Sequence, residues 1–152
     1  MAHELLFGFT RPQELSKAIE IYQSEASKPN ADPSVFNALG VLHEEGKGFI
    51  KDPNKAFKFF MKSAEKGNPE GLYKVGQYLE KGLLNFKNYF DGLYANRDAE
   101  VRGGIEYYEK AAAKGHLDAL TDLGYIYELG VNHDGGMDYF IEPHPDHAKK
   151  YY

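Results

Sequence analysis

The chain has 152 residues, the size of one ordinary domain, and its 42% hydrophobic and 27% charged content is that of a folded protein rather than a disordered one. A net charge of −5 and a pI near 5.7 argue against a nucleic-acid ligand, whose capture needs clustered Lys and Arg, and no basic run occurs. The lack of cysteine excludes disulfides, thiolate chemistry and cysteine-bound zinc, which fits a reducing compartment and an expected cytoplasmic location.

The apolar stretch within Met1 to Phe9 is too short for a secretory segment, and nothing later approaches about 18 consecutive apolar residues, so no membrane span is expected. A helix over about 12–28 carries Lys17-Ala-Ile-Glu-Ile-Tyr22. The next apolar set is Phe36, Leu39 and Leu42, whose three-residue spacing puts them on one helix face. A following helix runs through Lys55-Ala-Phe-Lys-Phe-Phe60 into Lys62-Ser-Ala-Glu-Lys-Gly67, where lysines in the last turn and a glycine mark its stop. The same order returns with Leu72, Val75 and Leu79, then Gly103-Gly-Ile-Glu-Tyr-Tyr108 and Lys110-Ala-Ala-Ala-Lys-Gly115. It begins a third time with Leu120, Leu123, Ile126 and Tyr127, and closes with His147-Ala-Lys-Lys-Tyr-Tyr152.

Gly40, Gly76 and Gly124 each follow an aliphatic residue on the buried face of the first helix of a pair. Glycine costs about 1 kcal/mol of helix propensity relative to alanine, so its recurrence predicts close approach of the second helix through its Tyr or Phe pair. Ala56 to Gly76 spans 20 residues, as does Gly104 to Gly124, so the passage from a second helix to the next first helix has fixed length. Gly40 to Ala56 spans 16 residues, but Gly76 to Gly104 spans 28 and Gly124 to Ala148 spans 24. All extra length therefore enters after the first helix, and in a stacked array both insertions would decorate one edge. The expected units are about 12–28 (partial), 33–67, 69–115 with an insertion at 83–101, and 118–152 with an insertion at 131–147. Both ends cut across a unit, which predicts a piece of a longer array.

Leu39-Gly40, Gly46-Lys-Gly48, Asp52, Lys55-Ala56, Phe59-Phe60 and Ala64 to Gly67 together resemble the Sel-1-like repeat, a relative of the tetratricopeptide repeat. Residues 72–115 fit with their insertion and with Gly103-Gly104 in place of the usual Lys-Ala. The resemblance implies an all-α fold, an α-solenoid of stacked antiparallel helix pairs. It also implies a non-catalytic adaptor or scaffold that assembles other proteins. An accessory targeting or regulatory segment of a larger enzyme, or of a ubiquitin-ligase degradation complex, is the alternative.

By analogy with tetratricopeptide arrays, a concave face would be lined by Asn37, Val41 and Glu44, by Tyr73, Gln77 and Glu80, and by Thr121, Tyr125 and Glu128. Taken singly the glutamates read as solvated helix formers, while together they make an acidic ladder suited to a basic protein or peptide partner. The first insertion concentrates Phe86, Tyr89, Phe90 and Tyr94, which either fold back onto their own protein, lengthening helices locally, or present aromatic anchors to a partner in a multiprotein complex.

His133, Asp134, Asp138, His144, Asp146 and His147 crowd the second insertion, but their spacing matches no metal site, and His144-Pro-Asp-His147 reads as turn chemistry with helix starting at Asp146. His43, at the position of Leu79 and Tyr127, reads as a packed residue. No glycine-rich phosphate loop and no recognisable Ser/His/Asp context occur, so neither a catalytic residue nor a cofactor is expected.

Overall fold

The computed structural model describes residues 12–84, 97–132, 139–141 and 143–152. Seven helices lie among them: α1 (Pro12–Ala26), α2 (Pro33–Glu45), α3 (Pro53–Glu65), α4 (Pro69–Lys81), α5 (Arg97–Ala113), α6 (Leu117–Leu129) and α7 (Pro145–Ala148). Between α6 and α7, β1 (Val131–Asn132) and β2 (Tyr139–Ile141) pair antiparallel, a small ladder that the sequence reading did not anticipate. The architecture is otherwise all-α, of the helix-pair α-solenoid class, and it divides into two compact units, Met1–Gly71 and Leu72–Tyr152.

In the first unit, α1 contributes Ala18 and Tyr22 to a core with Val35, Ala38, Leu39 and Leu42 of α2. The N-termini of α2 and α3 share one device. Asp32 accepts from the Ser34 N–H at 2.8 Å, and Asp52 accepts from the N–H groups of Asn54 and Lys55 at 3.0 and 3.1 Å. Each aspartate is followed by a proline at the first helical position, where the missing N–H leaves no bond unmade. Gly46 ends α2 at φ 69°, a left-handed conformation costly for any residue with a Cβ. His43 is 7% exposed and lies between the Phe49 and Phe59 rings at 4.1 and 5.5 Å, packed as its register predicts.

The recurrent glycines meet the rings expected of them. A Cβ at Gly40 would lie 2.5 Å from Phe60, one at Gly76 2.6 Å from Tyr108, and one at Gly124 2.7 Å from Tyr152. In the second unit a Cβ at Gly104 would lie 2.9 Å from the Gly76 carbonyl oxygen, so the α4–α5 crossing is glycine on glycine.

The fixed junction has a structural cause. At the end of α3, Asn68 N–H bonds to the Ser63 carbonyl and Gly67 N–H to that of Ala64; at the end of α5, His116 and Gly115 repeat this with Ala111 and Ala112. The same Asn68 then caps α4 through Gly71 N–H at 3.1 Å, and His116 Nδ1 caps α6 through Ala119 N–H at 3.2 Å. Stop and start share one residue, leaving no room for insertion.

One expectation for the inserted stretches gains detail and one is corrected. Residues 97–101, at the end of the first insertion, are helical, because α5 starts at Arg97. Arg97 donates to the Leu79 carbonyl at 2.6 Å and to that of Glu80, filling acceptors that the end of α4 leaves open, and it pairs with Glu100 at 3.0 Å. At the second insertion, helix starts at Pro145 rather than Asp146, with proline in the first turn.

Candidate functional site

The second unit brings together Tyr73, Gln77 and Glu80 of α4, Tyr108 of α5, and Asp122 and Tyr125 of α6. Tyr73 is one of the phenols whose body packs while its tip needs a partner. It is 9% exposed, its ring stacks on His116 at 4.4 Å, and its hydroxyl donates to Asp122 Oδ2 at 2.8 Å. Gln77, one turn along α4, donates to the Tyr73 oxygen at 3.0 Å. One turn further, Glu80 Oε2 accepts from the Tyr108 hydroxyl at a long 3.4 Å.

Beside these groups a pocket of about 220 Å³ is lined by Glu80, Lys81, Tyr108, Asp122, Tyr125 and Ile126. Burial is the main cause that raises the Glu80 pKa, opposed by Lys81 and by the Tyr108 hydrogen bond and reinforced by the Asp122 charge. Tyr108 is likewise pushed up, by burial first and then by Glu80 and Asp122. Tyr125 stands 63% exposed at the rim. The arrangement can accept hydrogen bonds, hold positive charge and offer an aromatic face.

The remaining concave-face candidates have different surroundings. In the first unit Asn37, Val41 and Glu44 are half-buried, and Asn37 donates to Asn68 at 2.8 Å, so its amide serves the junction. Thr121 is exposed and turns its hydroxyl back onto the Leu117 carbonyl at 3.0 Å. Glu128 is exposed and accepts from the Tyr152 hydroxyl at 2.7 Å. The three glutamates are thus not equivalent rungs: Glu80 sits in a pocket, Glu128 holds a tyrosine, and Phe60 has no hydroxyl to offer Glu44.

Phe86, Tyr89, Phe90 and Tyr94 lie outside the described residues, as do His133, Asp134 and Asp138. Among the described residues no three His, Asp or Glu side chains gather where they could hold a metal ion, and no helix is long and apolar enough to cross a membrane. Sequence reasoning passed over Asp122 and Tyr108 as site residues. The available signal was Tyr73 itself, a half-apolar side chain on a packed face whose hydroxyl demands an acceptor.

A family model described as "Sel1 repeat" matches residues 37–68, 69–116 and 117–152. The "Chitin synthase regulator SKT5" of Saccharomyces cerevisiae is 24% identical over 164 residues, covering 86% of this chain and 23% of that protein. "Protein sel-1 homolog 2" of Homo sapiens is 31% identical over 112 residues, covering 74% of this chain and 14% of that protein. The chain therefore spans less than a quarter of the length of either relative. A solved Sel1 repeat protein from Oxalobacter formigenes matches with a TM-score of 0.65 at 23% identity, over 93% of this chain and 52% of that one, a likeness of fold.

Proposed function

We propose, from the fact that this chain belongs to the Sel1 repeat family, that it is a non-catalytic scaffold binding a protein or peptide partner on the face made by α4 and α6. The observation that carries the reading is the pocket beside an exposed tyrosine, where Tyr125 stands 63% exposed against the carboxylates of Glu80 and Asp122. Tyrosine is among the side chains enriched at interface hot spots, where anchors fill pockets. The acidic lining favours a basic partner over a polyanion such as nucleic acid. A cytoplasmic setting belongs to the same reading, resting on the cysteine-free composition.

The test is site-specific photo-crosslinking in the source cell. A benzoylphenylalanine at position 125 should capture a discrete protein, while one at Glu106, exposed on α5, should not. Equal capture at both positions, or none at 125, overturns the reading.

A second reading is an accessory regulatory segment of a larger enzyme or degradation complex, favoured by the similar protein named a chitin synthase regulator. A catalytic domain in the same complete reading frame would support it; its absence would favour the adaptor.

A further inference from the structure

We propose that the pocket between the end of α4 and α6 is a subsite for one cationic side chain, arginine or lysine, of a protein partner. This rests on the protein-binding reading above and adds the chemistry of what enters. The pocket presents two carboxylates, Glu80 and Asp122, against one ammonium, Lys81, with the rings of Tyr108 and Tyr125 and the aliphatic Ile126 as walls. A long cationic side chain matches each feature: its stem packs on Ile126 and its charge lies against tyrosine faces and carboxylate oxygens.

Glu80 makes the need for a cation specific. It is half-buried, its hydrogen bond from Tyr108 is long at 3.4 Å, and no described residue forms an ion pair with it. Lys81 and Arg97 offset only part of the cost of drawing this carboxylate out of water, a free-energy disadvantage that an incoming cation reduces further. The charge of the nearby Arg97 acts on Glu80, but its guanidinium donates directly to the carbonyls of Leu79 and Glu80 and to the Glu100 carboxylate. Arg97 thereby holds the backbone of Glu80 in place and is a positioning residue for the pocket. Asp122 adds a second negative group, fixed by the Tyr73 hydroxyl at 2.8 Å.

The inference is tested with the full chain, isotopically labelled for amide NMR, and three acetylated octapeptides identical except for a central Arg, Lys or Gln. Saturable shifts at Glu80, Asp122 and Tyr125 are expected with the Arg and Lys peptides and not with the Gln peptide, Arg binding the more strongly where its guanidinium stacks on the tyrosine rings. Raising the salt should weaken binding, and Glu80→Gln should weaken it about tenfold while preserving the helical spectrum. Equal shifts with the Gln peptide, shifts confined to other residues, or no shift with any peptide each overturn the cation subsite. Capture at position 125 would still stand in those cases, so failure of the subsite is distinct from failure of the scaffold reading.

Discussion

The ring of Tyr108 lies against Gly76 so closely that a Cβ at position 76 would sit 2.6 Å from its Cδ1, and the hydroxyl of the same tyrosine reaches Glu80 one turn further along α4. Tyr152 repeats both contacts with Gly124 and Glu128. Glycine and glutamate four residues apart thus form a seat and a latch for the tyrosine of the second helix. The glycine seat recurs under Phe60 at Gly40 as well, so its recurrence follows from one packing requirement, whereas the latch needs a tyrosine.

Filling that seat should be costly. Gly76→Leu meets the buried Tyr108 ring and, at 2.9 Å, the Gly104 carbonyl, neither of which can withdraw cheaply. Overpacking of this kind costs about 1 to 3 kcal/mol, more than the roughly 1 kcal/mol of helix propensity that replacing glycine returns. Thermal denaturation followed by circular dichroism should show a lower Tm; an unchanged Tm would refute the close contact.

Asn68 has two duties, capping α4 through Gly71 N–H and receiving the Asn37 amide at 2.8 Å. Asn68→Ala removes both and should lower stability by about 1 to 2 kcal/mol in urea denaturation. Asn68→Asp keeps an acceptor in each bond and should recover most of the loss. If the alanine and aspartate variants melted alike, the cap would not be the reason.

His43 predicts a pH dependence. Burial between two phenylalanine rings lowers its pKa below the ordinary 6.5, with Lys55 adding to the shift and Asp52 opposing it, and its Nδ1 has no hydrogen-bond partner. The unfolded chain therefore takes up the proton first. Above pH 6.5 both states are neutral and His43 adds no slope; as the pH falls through 6.5 stability is lost, until the folded imidazole itself protonates. Comparing unfolding free energies at about pH 7 and about pH 5, His43→Leu should reduce the slope relative to wild type. An unchanged slope would assign the dependence to other groups.

Much of the fold was legible because repetition turns local signals into a measurement. The glycines predicted their own ring partners, since a helix accepts a glycine on its buried face only where a neighbour comes close. The constant 20-residue junction predicted a rigid turn, and Asn68 and His116 supply it. The extra helical turn at Arg97 was not legible, because it depends on α4 carbonyls about 17 residues away in the chain that no local pattern announces. The β1–β2 ladder escaped for the related reason that two or three residues are too few to show an alternation.

By itself the sequence determined the helix pairs, the glycine seats and much of the buried faces, which follow from short-range periodicity and fixed spacing, while the family was carried by the resemblance of its motif residues. Tertiary structure alone decided the surroundings of three similar glutamates, among them the pocket beside Glu80. Glu44, Glu80 and Glu128 occupy the same register, but Phe60, Tyr108 and Tyr152 opposite them, together with Asp122 and Tyr125 arriving from the next helix, give each a different environment. Desolvation and charge depend on neighbours brought together by packing, and that is why the candidate site emerged only when the second unit was assembled.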